Sequence, residues 1–194
     1  MADLILLNGP PGIGKSTLAR MFVDRHPGTL NLDIDQVRCL IGGWQDDFRA
    51  TGEIVRPVAV SMAAAHLAAG RDVIMPQFLD SDEEIAGFRA AAEDTGSGFH
   101  EIVIMDTKQR AVERFANRGA GQDVPWHEQI KAIVNLGGGP QLLESMYDGL
   151  VSGLRKRPSA ILIHSTHGAI EETYASLITA LAPARSPTGA FRHR

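Results

Sequence analysis

A short apolar run, Leu4–Leu7, passes into Gly9-Pro10-Pro11-Gly12-Ile13-Gly14-Lys15-Ser16, with Thr17 next and an amphipathic stretch behind it. The octapeptide fits G-x-x-x-x-G-K-[ST], a loop whose glycines let backbone N–H groups close around phosphate oxygens. The stretch behind it carries Leu18, Met21 and Phe22 at helical spacing, so the loop ends at a helix N-terminus, where unsatisfied N–H groups and the helix dipole favour anions. Strand, glycine loop and helix in that order constrain the fold more than any other feature of the chain. They dictate a βα unit, with Lys15 reaching the β/γ-phosphates of a nucleotide and the Ser16 hydroxyl placed for Mg²⁺. Gly9, Gly12, Ile13, Gly14, Lys15, Ser16 and Thr17 are therefore the expected nucleotide-binding residues.

The rest of the chain repeats the rhythm. Apolar runs at Leu4–Asn8, Thr29–Asp33, Asp72–Pro76, Phe99–Met105 and Ala160–His164 read as strands buried on both faces. Between them lie helical patterns at Lys15–Arg25, Gln36–Ile41, Ile54–Ala69, Ser81–Thr95, Lys108–Arg118, His127–Leu136, Pro140–Arg157 and Ala169–Leu181. Alternation of this kind predicts a parallel sheet with helices on its faces. The polar, glycine-bounded stretches Gly42–Gly52 and Gly119–Pro125 read as loops, and residues 183–194 as a disordered tail after one domain over 1–182. One cysteine, Cys39, excludes an internal disulfide and a cysteine-based zinc site. With 19 Lys+Arg against 23 Asp+Glu and a net charge of −4, the chain lacks the basic excess expected of a duplex nucleic-acid binder. No basic leader and no apolar stretch near 18 residues is present, so a cytoplasmic protein without membrane contact is expected.

Two further segments carry chemistry. Asn31-Leu32-Asp33-Ile34-Asp35-Gln36-Val37-Arg38 follows the second strand, and ligands in open α/β sheets bind beyond the carboxyl ends of strands. Transfer of a phosphoryl group to an alcohol needs a carboxylate near the hydroxyl and positive charge around the moving group; Asp35 and Arg38 supply both. Helix capping is the structural alternative for Asp35, with Asp33 then a solvent-facing strand end. Arg110, Arg114 and Arg118 recur at i, i+4 and i+8 and form one stripe, either phosphate-binding or solvated. The third strand ends Met75-Pro76-Gln77-Phe78 without an acid, which leaves Mg²⁺ to Ser16 and, through water, to Asp33 or Asp35. His127, His164 and His167 lack the spacing of a metal or catalytic set.

The loop followed by a strand and Asp35-Gln-Val-Arg38 resembles the small P-loop kinases grouped with the phage-type polynucleotide 5′-hydroxyl kinase, the zeta toxins and chloramphenicol phosphotransferase. Val112–Arg118, just before glycine-rich sequence, is similar to the arginine-bearing lid of adenylate kinase. The resemblance implies a three-layer α/β/α P-loop NTPase with a five-stranded parallel sheet and a helical lid region near 114–140. It further implies Asp35 as the base on the attacking hydroxyl, Arg38 as the acceptor clamp, and Arg114 and Arg118 on the nucleotide phosphates, with Arg118 and Lys15 counted as catalytic. The implied cofactors are ATP and Mg²⁺, and the implied partners a nucleotide and a hydroxyl-bearing acceptor, either a small molecule or a nucleic acid 5′ end. A regulatory ATPase or switch working through a protein partner is the alternative; it needs neither Asp35 nor the arginines.

Overall fold

The computed structural model describes residues 1–117 and 125–182, with side chains described outside 125–129. Five strands, β1 (Asp3–Asn8), β2 (Leu30–Asn31), β3 (Val73–Pro76), β4 (Gly98–Met105) and β5 (Ile161–His164), form one sheet in the order β2-β3-β1-β4-β5. Every pairing is parallel. The helices are α1 (Lys15–Arg25), α2 (Ile34–Arg38), α3 (Phe48–Ala68), α4 (Asp82–Asp94), α5 (Lys108–Ala116), α6 (Pro125–Leu136), α7 (Pro140–Leu154) and α8 (Ile170–Leu181).

The central strand shows why the layers form. All six β1 residues are buried, and successive side chains leave a strand on opposite faces. Leu4 and Leu6 accordingly pack with Val55, Ala59 and Leu67 of α3 and with Phe88 of α4. Ile5 and Leu7 pack on the other side with Leu18 and Phe22 of α1 and Leu177 of α8. One apolar run thus requires two helical layers. No helix among the described residues is long and apolar enough to cross a membrane.

The structure corrects the sequence expectations at four places, each for a local reason. The strand expected over Thr29–Asp33 narrows to Leu30–Asn31, because the Asp33 side chain accepts from the Asp35 N–H at 3.1 Å and starts α2 at Ile34. Half of the expected Gly42–Gly52 loop is helix, since Asp47 accepts from the Ala50 N–H at 2.9 Å and opens α3 at Phe48. The helix expected to end at Arg118 ends at Ala116, capped by Asn117. Strand β5 is not buried on both faces; Leu162 is 53% exposed, as an edge strand allows.

Candidate active site

The loop after β1 is held from below by Asn8. Its Oδ1 accepts from the N–H groups of Gly9 at 2.8 Å and Leu79 at 3.1 Å, while its amide donates to the Leu79 carbonyl at 2.7 Å and Glu101 Oε1 at 3.0 Å. Gly9 has φ 142°, and a Cβ there would stand 2.4 Å from the Ile104 carbonyl oxygen. Gly12 has φ 81°, and a Cβ there would meet the Phe115 backbone at 2.8 Å. Only glycine fits at either position. Gly14, left-handed at φ 106°, opens α1 without a side-chain cap, and the first turn of a helix has N–H groups that the helix itself does not satisfy. Lys15 Nζ lies within this loop, donating to the carbonyls of Gly9 at 2.7 Å and Pro10 at 3.0 Å.

Beyond the loop opens a cavity of about 950 Å³, at the large end of ligand pockets. Gly12, Gly14, Lys15, Ser16 and Thr17 line one part of it, and Asp33, Asp35 and Arg38 line another. Residues separated by some twenty positions in sequence therefore share one space, because β1 and β2 both end on the same side of the sheet. Asp33 is 4% exposed and caps α2, its second oxygen accepting from Gln36 Nε2 at 3.3 Å. The capping role considered for Asp35 thus belongs to Asp33, which is no solvent group. Arg38 is 7% exposed, donates to the Phe48 carbonyl at 2.9 Å, and lies 3.5 Å over the Phe48 ring. Burial pushes its guanidinium down from the ordinary range, and Asp35, 3.9 Å away, pulls it back up.

The remaining expected residues divide. Gly9 underlies the loop, and Ile13 is a core residue, 2% exposed, in the cluster with Leu18 and Phe22. Arg114 is 2.7 Å from Asp106 and donates to Ser165 Oγ at 3.1 Å, the Ser165 carbonyl at 2.9 Å and the Ile13 carbonyl at 3.3 Å. It joins α5 to the phosphate loop and to the end of β5. Arg110 is exposed on the same helix, 3.7 Å from Asp106. Arg118 lies outside the described residues, as does the His127 side chain. His164, the last residue of β5, and His167 beyond it are exposed and are not among the described residues lining the cavity.

Ser16 and Asp33 offer oxygen ligands of the kind Mg²⁺ takes. Among the described residues no group of three acidic, histidine or cysteine side chains gathers as a metal cage, and Mg²⁺ in phosphoryl-transfer sites is ordinarily held by one or two side chains with substrate phosphates and water. Ser16 and Asp33 both line the cavity, and such a pair fits a hydrated divalent cation beside phosphates.

Sequence inspection missed the support beneath the site. Glu101 and Arg157, with side chains 3% and 5% exposed, lie 3.3 Å apart; Arg157 also donates to Asp82 at 3.1 Å, and Glu101 accepts from Asn8. A glutamate inside the apolar run Phe99–Met105 was the available signal, whereas nothing marked Arg157. Removing one partner of a buried pair leaves an uncompensated charge and costs about 3–5 kcal/mol. Glu101→Ala is therefore expected to lower unfolding free energy by about that amount in urea titration; a loss below about 1 kcal/mol would show the pair to be idle.

Residues 4–133, more than half of the chain, match the model of the family described as AAA domain, AAA_33. No curated protein matches the chain by sequence. A gluconokinase from Sinorhizobium meliloti 1021 superposes with a TM-score of 0.59 at 14% identity, over 94% of this chain and 93% of that one. The Deinococcus radiodurans tunicamycin resistance protein gives 0.59 at 17% identity, over 95% and 96%. A chain of the Pnkp1/Rnl/Hen1 RNA repair complex gives 0.62 at 19% identity, over 80% of this chain and 46% of that one. At these identities the structural likeness shows a shared fold, the five-stranded parallel α/β arrangement of P-loop kinases. The phosphate loop at Gly9–Ser16, the sheet order and the extent of the family match together establish that this chain belongs to the AAA_33 family of AAA domains.

Proposed function

We propose that the chain is a kinase transferring the γ-phosphoryl group of ATP to a hydroxyl of an acceptor, a small molecule or a nucleic acid 5′ end, with residues 1–182 as the kinase domain and a lid near 114–140. The observation that carries this is the shared cavity: Lys15 and Ser16 on one part of its wall, Asp35 and Arg38 on another. A nucleotide-driven switch has no use for a carboxylate and a guanidinium across from its phosphate loop.

The loop N–H groups and Lys15 bind the β- and γ-phosphates, and Thr17 continues the anion site at the start of α1. Ser16 and, through water, Asp33 would hold Mg²⁺, which when bound neutralises phosphate charge. Asp35 orients the acceptor hydroxyl and takes its proton as the new oxygen–phosphorus bond forms. The bond to the β,γ-bridging oxygen breaks, and ADP leaves with that electron pair. Arg38, fixed by Phe48, positions the acceptor. Arg114 sets α5 against the loop, and Arg118, four residues on in sequence, serves the transferring phosphoryl group.

The end of β3, Pro76-Gln77 in place of an acid, favours the second reading, a regulatory ATPase with a protein partner. One experiment separates them: incubation with [γ-³²P]ATP, Mg²⁺ and panels of 5′-hydroxyl oligonucleotides, nucleosides, sugars and hydroxylated antibiotics. The kinase reading expects labelled acceptor and ADP in equal amounts with at least one panel. Phosphate release without any labelled acceptor would overturn it in favour of the switch.

A further inference from the structure

We infer that Arg114 is a positioning residue of the phosphate loop, acting on the nucleotide through the Gly14 N–H and without touching phosphate itself. This rests on the nucleotide-binding half of the kinase reading and deepens it. The guanidinium, on a side chain 10% exposed, joins the ends of three strands: Ile13 after β1, Asp106 after β4 and Ser165 after β5. Asp106, its side chain 6% exposed, holds it at 2.7 Å. That carboxylate is fixed in turn, accepting from the Thr107 N–H at 2.8 Å, while the Asp106 carbonyl accepts from the Tyr147 hydroxyl at 3.0 Å. Ser165 accepts from Arg114 at both its hydroxyl and its carbonyl, and its N–H donates to the Met105 carbonyl at 2.8 Å. A planar fork of donors can serve three such partners at once, which an ammonium cannot. Moving it onto a phosphate would leave the buried Asp106 carboxylate with only the exposed Arg110, 3.7 Å away, at the cost of a poorly compensated buried charge.

The bond that bears on chemistry is the 3.3 Å one to the Ile13 carbonyl. The Ile13–Gly14 peptide is trans, so its N–H points opposite to its C=O. With the carbonyl turned to Arg114, the Gly14 N–H faces away from α5, and Gly14 lines the cavity. That N–H finds no acceptor among the described residues, as befits a donor kept for an anion at the start of a helix. Its neighbours in the loop are already fixed: the Ile13 side chain is 2% exposed in the core, and Gly12 is backed by the Phe115 backbone. Gly14 is different. It stands at φ 106° with no atom within 4 Å of where a Cβ would be, and glycine tolerates either sign of φ. A turn of this one peptide plane would aim a carbonyl at the anion site in place of the N–H. Arg114 removes that freedom.

Titration calorimetry of the full chain with ADP and with the non-hydrolysable analogue AMPPNP, each with Mg²⁺, tests this beside melting curves. Arg114→Gln is expected to weaken both nucleotides by the same factor, about tenfold or more, the weight of a hydrogen bond to a charged group. Arg114→Lys should restore neither, because it keeps the charge and loses the fork. Asp106→Ala slackens the clamp and should weaken ADP about threefold or more, and Arg114→Gln/Asp106→Ala should lose no more than about twofold beyond Arg114→Gln, as residues acting as one unit do. The double variant buries no unpaired carboxylate, so it carries the test should Arg114→Gln fold poorly. A purely structural arginine would lower the melting temperature and leave ADP affinity unchanged, which overturns the inference. A loss confined to AMPPNP, recovery in Arg114→Lys to about the parent's affinity, or tighter ADP binding by Asp106→Ala would each mark direct phosphate contact and overturn it as well. Failure of the kinase reading looks different: ADP binding responds to these variants as expected, yet [γ-³²P]ATP labels no acceptor. Absence of saturable ADP binding by the parent would remove both.

Discussion

Lys15→Ala is expected to reduce phosphoryl transfer by about 10²–10³ or more while the protein stays folded. A single preorganised donor aimed at developing charge in a water-excluded site has that weight, and Lys15 is the side-chain cation that the loop itself carries. Its ammonium lies 2.7 Å from the Gly9 carbonyl and 3.0 Å from the Pro10 carbonyl, so the loop itself fixes the charge. The same two hydrogen bonds set the structural cost: at about 0.5–1.5 kcal/mol each, they are small beside the burial of β1. Calorimetric titration of ATP, a melting curve and the transfer rate on this one variant suffice. Unchanged affinity and rate would remove the loop from the active site.

Asp35→Asn is expected to lower transfer by about 10²–10⁴, the usual contribution of a general base, with ATP affinity nearly unchanged. The amide retains the size and hydrogen-bonding reach of the carboxylate but cannot take the hydroxyl proton. Because Asp33 and not Asp35 caps α2, the variant does not disturb the helix start. It weakens the 3.9 Å approach to the buried Arg38 guanidinium, so a melting curve is measured beside the rate to separate a loss of stability from a loss of transfer. Arg38 keeps its contacts with Phe48. An effect confined to the transfer rate identifies an interaction made in the transition state. Undiminished transfer would pass the base role to Asp33, whose oxygens are already bonded to the Asp35 N–H and Gln36.

The two variants differ in how far the sequence alone supports them. Gly9–Ser16 carries its own geometry: the glycines are required by the φ of 142° at Gly9 and 81° at Gly12, and strand before and helix behind were legible from hydrophobic spacing. The alternation Leu4, Leu6 against Ile5, Leu7 likewise announced two packed faces. Such features are local, because backbone conformation and side-chain direction repeat over a few residues and leave a period in the sequence.

The candidate acceptor side is another matter. That Asp33 caps α2 and Asp35 does not depends on where the chain turns out of β2, a choice between two aspartates equally suited to capping. That Arg38 is held by Phe48 depends on the start of α3, inside a stretch whose polar composition reads as loop. The Glu101–Arg157 pair beneath Asn8 joins positions 56 residues apart in sequence, and the apolar wall of Phe48, Phe78, Leu142 and Met146 gathers side chains from three segments. By itself the sequence determined the glycine loop between β1 and α1, the parallel α/β class and the identity of the residues available for chemistry. Only the tertiary structure decided which of them meet, because a contact between distant segments is set by the crossing of strands and helices and leaves no period along the chain.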